Sequence, residues 1–262
     1  MSVVFSVQNL QKKYAGVAAL ADVQFQLNAG ECVAMIGPNG AGKSTCFGCL
    51  AGQQQPDAGQ ALWRGQSLLH IPPHLRKNAG VARTFQVAQV FEALTVVENL
   101  QLVLQVAQGV SAFQALSECQ ADGTWAWIDK MGLREWGAQA LQSSAAHLSY
   151  GQKKRLELSM ALAGLPDANQ GLLLLDEPAA GLSPTERVDM MRAIKSLCQN
   201  GTTVLYTEHN MDAVFGIADR VLVLMEGRLV AEGLPQEVAA NPLVRERYLG
   251  ASFDLNQAGL HA

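Results

Sequence analysis

The sequence predicts an α/β fold interrupted by a mainly helical insertion, and three stretches of its 262 residues carry that reading. A short apolar run, residues 32–36, leads into a glycine-rich loop and then into a helix expected from about Cys46. Four consecutive leucines, Leu172 to Leu175, suit a central parallel strand buried on both faces. Between these, from about residue 87 to 165, the apolar spacing becomes helical.

Taken in order, Val3 to Val7 reads as a strand, and Val23 to Leu27 alternates with period two as a half-buried strand should. Asn28 and Gly30 make the turn into the apolar run at 32–36. Tyr14 falls between the first two strands. It could stack on an adenine ring or stand as a plain surface tyrosine. After the first helix, Asp57 and Gly59, then Arg64 and Gly65, are turn signals on either side of a short strand at 60–63. His70 and His74 enclose two prolines, which exclude a helical metal-binding pair. Residues 81–85 form a strand ending at Gln86. Thr95 and Glu98 have the spacing of a capping box that opens a helix. Trp125, Trp127 and Trp136 read as anchors of helix packing. Farther on, Ser183, Pro184 and Glu186 supply the cap, first-turn proline and third-position glutamate of another helix. Residues 202–207 form a buried strand that ends at Glu208 and His209. Glu226 and Gly227 are the two-residue turn of a hairpin, and Pro235 opens a last helix behind a poor cap, Leu234. Residues 251–262 lack periodicity and are expected to fray.

Three places carry chemistry. Residues 37–45 match G-x-x-x-x-G-K-[S/T] in a strand–loop–helix setting. Gly37, Gly40 and Gly42 let the backbone curl so that its N–H groups, with those of the following helix, point at phosphate oxygens. Lys43 is then the residue to reach the β- and γ-phosphates, and Ser44 the hydroxyl to ligate Mg²⁺. The loop also contains Asn39 and Thr45. Asp176 and Glu177 end the leucine strand, where α/β folds place their ligands; Asp176 can hold Mg²⁺ through water and Glu177 can polarise an attacking water. Ser149, Gly151 and Gln152 cap and open a helix running to Ala163, whose N-terminus could bind an anion or simply be an ordinary cap.

Composition narrows the class. The net charge of −4 offers nothing that recommends nucleic acid as a partner. Five cysteines, Cys32, Cys46, Cys49, Cys119 and Cys198, form no disulfide framework, and the C-x-x-C pair at 46 and 49 lies in the phosphate-loop helix without a second pair. No stretch approaches the ~18 apolar residues of a membrane span, and the N-terminus lacks a signal-peptide pattern. The expected location is the cytoplasm, with membrane contact only through a partner.

The loop at 37–45, the stretch Leu148 to Gln152 and the Asp176–Glu177 strand end, in that order, resemble the motifs of ABC-transporter nucleotide-binding subunits across roughly residues 3–250. The resemblance implies a P-loop NTPase (RecA-like) core with an antiparallel β subdomain and a helical subdomain. Core would be 1–86 and 166–250, helical subdomain about 87–165, and tail 251–262. It implies ATP and Mg²⁺ as ligands. Tyr14 becomes the adenine-stacking aromatic, residues 37–45 the Walker A loop, and Gln86 the Q-loop glutamine that senses Mg²⁺ and the membrane subunit. Asp176 and Glu177 correspond to Walker B and the catalytic glutamate, and His209 to the switch histidine. Two departures stand out: Tyr150 replaces a glycine of the signature, and Ser183 occupies the place where most such subunits carry the D-loop aspartate.

Residues 82–86, 176–182 and the ending Tyr248, Leu249, Gly250 are similar to ATP-binding subunits of branched-chain amino-acid uptake systems, while urea and lipopolysaccharide-export subunits share parts of them. Membership of that group implies an ATP-driven clamp at the cytoplasmic face of the inner membrane. A second ATP-binding subunit, identical or a sister, would supply the opposing signature, integral-membrane permease subunits would be moved, and a solute-binding protein would be served indirectly. A soluble ABC ATPase acting on DNA or ribosomes is the runner-up, but its long coiled-coil insertion, paired cassettes or basic surfaces are missing. A nucleotide-binding module without turnover is disfavoured by the presence of both Glu177 and His209.

Overall fold

The computed structural model describes residues 2–110 and 122–250. Cys119 and the expected fraying of 251–262 lie outside the described residues. The chain opens with two long antiparallel strands, β1 (Val3–Tyr14) and β2 (Val17–Asn28), joined by a tight turn at Ala15 and Gly16. Both are longer than their apolar alternation suggests. Lys12 and Lys13 are not strand-core residues, yet they pair with Leu20 and Ala18 across the hairpin. β3 (Cys32–Ile36) follows, then α1 (Lys43–Ala51), which starts three residues before the first apolar helix position. β4 (Ala58–Trp63) and β5 (Gln66–Ser67) complete a four-stranded antiparallel sheet in the order β2-β1-β4-β5.

The main sheet has six strands in the order β10-β9-β3-β8-β7-β6. Here β6 is Val81–Arg83, β7 Leu172–Asp176, β8 Thr203–Thr207, β9 Arg220–Met225 and β10 Arg228–Gly233. Pairings from β9 through β3, β8 and β7 to β6 are parallel, and β10 closes one edge antiparallel to β9. Buried parallel strands must satisfy a layer on each face. The leucine run does this by alternation: Leu172 and Leu174 join the layer that holds α1 and Phe5, while Leu173 and Leu175 join the layer of helices on the other face. The hairpin turn at Glu226 and Gly227 is where the sequence places it.

Between β6 and β7 lie α2 (Val96–Ala107), α3 (Asp122–Lys130), the short α4 (Ala138–Leu141) and α5 (Tyr150–Ala163). α2 begins with the Thr95–Glu98 capping box, each side chain bonding the other residue's backbone N–H. Trp127 and Trp136 pack against the helical core, but Trp125 does not anchor it: its ring stays partly exposed, beneath the Arg134 guanidinium. Past β7 come α6 (Pro184–Gln199), α7 (Met211–Ile217), α8 (Pro235–Ala240) and α9 (Pro242–Val244). Leu234 contributes no side-chain cap; its N–H is instead taken by Glu237 at 2.9 Å. Among the described residues no helix is long and apolar enough to cross a membrane. Burial pushes the Cys49 thiol up to about 11 and the Cys46 thiol higher still, so this pair is core packing rather than redox chemistry.

Candidate nucleotide site

Register alignment brings the C-terminal ends of β3, β7 and β8 to one edge: Asp176 pairs with Thr207, and Thr207 with Met35. The phosphate loop leaves β3 at that edge. Its last glycine, Gly42, caps α1 with backbone alone, so the N–H groups of the first turn are not taken by a capping side chain. Lys43 is buried, and its ammonium donates to the carbonyls of Gly37 at 2.6 Å and Pro38 at 3.1 Å. Burial lowers its pKa, and the charges of Glu177 and Asp176 oppose that shift. Asn39 and Gly40 are exposed at the tip, Ser44 is exposed and Thr45 half-buried. A cationic side chain folded back beside a helix start that carries no side-chain cap fits a polyphosphate.

A hydroxyl that sequence reasoning did not single out organises the acidic strand end. Thr207 Oγ1 donates to Asp176 at 2.8 Å and accepts the Glu177 N–H at 3.0 Å. Glu177 is held at φ 48°, a left-handed conformation that costs a non-glycine residue roughly 1–2 kcal/mol. Its carboxylate is spanned by two distant residues: His209 Nε2 lies 3.0 Å from Oε1, and Gln86 Nε2 donates to Oε2 at 3.3 Å. Glu208, also without a role in the sequence reading, is buried, and burial raises its pKa. It accepts the N–H groups of Ala179 at 2.7 Å and His209 at 3.2 Å, tying the turn after Glu177 to the one carrying His209. Only the apolar strand before these two residues was a sequence signal.

Ser149 and Gln152 form a reciprocal capping box at the start of α5. The Ser149 hydroxyl also donates to Glu186 at 2.9 Å, and the other oxygen of that carboxylate accepts the Ser183 hydroxyl at 2.8 Å. These bonds lower the pKa of Glu186, with Ser183 the largest cause. Gly151 lies against the same carboxylate, where a Cβ would come within 2.5 Å of Glu186 Oε1. Among the described residues, the hydrogen-bond partners of Ser149, Tyr150 and Gln152 lie in α5, in α6 and at Gln86, none in residues 37–45. Tyr14 is partly exposed at the end of β1, where its hydroxyl donates to Gln54 and Lys12 lies 5.5 Å from the ring.

Farther along α5, Glu157 is buried beside Lys154 and Arg83. Burial pushes its carboxyl up to about 7, against the opposing pull of the Phe85 N–H and the two cations. The fold therefore holds a proton here that the unfolded chain releases at about 4.5. The stability this contributes is complete below the unfolded value and is lost as pH rises through about 7. Between pH 5 and 9, wild-type unfolding free energy should fall relative to Glu157→Gln by roughly 3 kcal/mol. Urea titrations across that range check it; parallel pH profiles for the two proteins would refute it.

A phosphate loop and an acidic strand end on one edge of a parallel sheet are the marks of a P-loop nucleotide-binding protein. Residues 20–180 match the family described as ABC transporter, and residues 228–254 the one described as branched-chain amino acid ATP-binding cassette transporter. The chain is 36% identical over 257 residues to LivG of Escherichia coli strain K12, a high-affinity branched-chain amino acid transport ATP-binding protein, covering 94% of this chain and 98% of LivG. It is 35% identical over 251 residues to LptB of the same organism, a lipopolysaccharide export system ATP-binding protein, covering 95% and 98%. Among solved structures, a nucleotide-free ATP-binding cassette from an ABC transporter superposes with TM-score 0.81 at 25% identity, covering 95% of this chain and 100% of the cassette. A cassette in its ADP conformation superposes with TM-score 0.82 at 27% identity and the same coverage. The chain belongs to the ABC transporter family, and its parallel core, antiparallel sheet and intervening helices are the ABC ATPase fold.

Proposed function

We propose that this chain is the ATP-hydrolysing subunit of an importer for branched-chain or other hydrophobic amino acids, acting at the cytoplasmic face of the inner membrane. The observation that carries the catalytic reading is Glu177, spanned by Gln86 and His209 on the edge that also holds the phosphate loop. Gly37, Asn39, Gly40, Gly42, Lys43, Ser44 and Thr45 cradle the phosphates, and Tyr14 receives the adenine. Ser44, Gln86 and Asp176 offer only oxygen donors, which suits Mg²⁺; once bound, the ion neutralises developing phosphate charge. Glu177 takes the proton of the attacking water, and His209 and Gln86 fix its carboxylate.

Ser149, Gly151 and Gln152 make their contacts away from their own phosphate loop, which supports their service to ATP held by a second subunit, identical or a sister. Residues 87–165 act as the helical subdomain that this pairing moves. An apolar groove of about 560 Å³ lies between β6, α2 and α5, lined by Val81, Phe91, Val103, Val106 and Met160, and Phe85 and Val87, which flank Gln86 in the chain, are exposed. Integral-membrane permease subunits dock there, and a solute-binding protein is served through them.

The C-terminal match at 228–254 supports amino-acid cargo over the lipid export performed by LptB. Deleting the subunit should abolish high-affinity uptake of leucine, isoleucine and valine, measured with labelled amino acids at low external concentration. Full uptake of all three would overturn the cargo and leave the ATPase reading standing.

A further inference from the structure

Three side chains of α5 grip one short stretch of chain. Tyr150, Lys154 and Glu157 stand at i, i+4 and i+7, so a single helix face presents all of them. The Tyr150 hydroxyl donates to the Gln86 carbonyl at 3.0 Å. The Lys154 ammonium donates to the Phe85 carbonyl at 3.0 Å, and Glu157 Oε1 accepts the Phe85 N–H at 3.1 Å. Both backbone polar groups of Phe85 and the carbonyl of Gln86 are therefore held by α5. Lys154 is 2% exposed and Glu157 5%, so these polar side chains have given up water to make the contacts.

The grip begins where the sheet lets go. β6 ends at Arg83, and the last bond from this segment to β7 is the Thr84 N–H to the Leu174 carbonyl at 3.1 Å. One residue beyond Phe85, the Gln86 side chain reaches Glu177. At its other end, α5 starts with the Ser149 turn. The helix thus has a nucleotide-facing end, a hold on Gln86 from its first residue, Tyr150, and, one and two turns along, a hold on Phe85, the residue before it.

We infer that Tyr150, Lys154 and Glu157 are positioning residues that hold Gln86 against Glu177, so that a displacement of the Ser149 turn is carried by α5 to the hydrolytic site. The inference rests on the roles proposed above for Gln86 and Glu177. The buried ammonium and carboxyl group act here as fixed anchors of backbone rather than as a salt bridge with each other. The Tyr150 hydroxyl, which a glycine at that position of the signature would lack, adds the third point.

Steady-state ATP hydrolysis by the purified full chain tests this. Lys154→Met keeps the stem and removes the donor; kcat should fall about tenfold with KM for ATP unchanged. Tyr150→Phe should lower kcat about threefold, and at a partly exposed position it does not threaten folding. Glu157→Gln, whose amide oxygen still accepts the Phe85 N–H, should recover at least half of the rate lost in Glu157→Leu. Because all act through Gln86, combining Lys154→Met or Tyr150→Phe with Gln86→Ala should lower kcat no further than Gln86→Ala alone. If Gln86→Ala slows hydrolysis and the double variants lose rate multiplicatively, the positioning role is overturned while the site reading stands. If Gln86→Ala hydrolyses ATP at the wild-type rate, the site reading falls and the inference with it.

Discussion

Glu177→Gln is expected to bind ATP as tightly as wild type and to hydrolyse it about 10²–10⁴-fold more slowly. The amide keeps the side chain's length and can still meet both neighbours, its oxygen accepting from Gln86 and its NH2 donating to His209, so the loss would isolate the carboxylate's proposed action on water. ATP affinity is expected to persist because, on the reading proposed above, the phosphates rest on Lys43 and the loop N–H groups rather than on Glu177. If ATP joins two chains, the variant accumulates as an ATP-bound dimer. Adding Ser149→Arg to the same chain should return it to monomer, since a bulky cation replaces the small cap beside Glu186 and blocks approach to the opposing phosphate. Hydrolysis assays together with size exclusion and light scattering, with and without Mg-ATP and with any sister subunit, read both effects. Near-normal hydrolysis would remove Glu177 from catalysis, and ATP-loaded monomer with every partner would remove the shared site.

The second large effect separates two glycines of one loop. At Gly37, φ is 147° and a Cβ would lie 2.0 Å from the Leu224 carbonyl oxygen, so Gly37→Ala must push the loop off β9. Overpacking and backbone strain together cost roughly 3 kcal/mol. ATP affinity should then fall about hundredfold, because the displaced N–H groups no longer converge. At Gly40, φ is 78° and a Cβ would meet nothing within 4 Å. Gly40→Ala should therefore cost only about 1 kcal/mol, from its left-handed backbone. Equal losses in the two variants, by calorimetric nucleotide titration and thermal melts, would show that strain alone, not the contact with Leu224, sets the loop's tolerance.

The parts legible in the sequence are those whose cause is local. Glycines, a lysine and a hydroxyl in fixed order describe their own loop, four leucines describe a doubly buried strand, and Ser183, Pro184 and Glu186 describe a helix start. The features that escaped depend on residues far away along the chain. Lys12 and Lys13 extend β1 because β2 offers them partners. Thr207 is an unremarked strand threonine until Asp176 and the Glu177 N–H arrive 31 and 30 positions away. Glu186 reads as a helix cap, which it is, but its second oxygen also receives Ser149. Tyr14 could not be decided from its neighbours, and its bond to Gln54 shows that it sits beside the end of the phosphate-loop helix.

The four leucines of β7 have a further consequence. A strand usually announces its alignment by which residues are apolar, since sliding by one position turns the wrong set inward. A run of identical side chains feeding both layers carries no such message: shifted by one, it would still offer leucine to each face. Alignment must then be dictated from the ends. At one end, the Leu172 N–H meets the Gly80 carbonyl at 2.8 Å, and Gly171 leaves no room for a side chain against Leu165. At the other, Asp176 meets the Thr207 hydroxyl. Asp176, proposed above to serve Mg²⁺, is thus also an index mark by which the central strand finds its place, and a chain that paired this strand wrongly would misplace that carboxylate before it lost much of its oil.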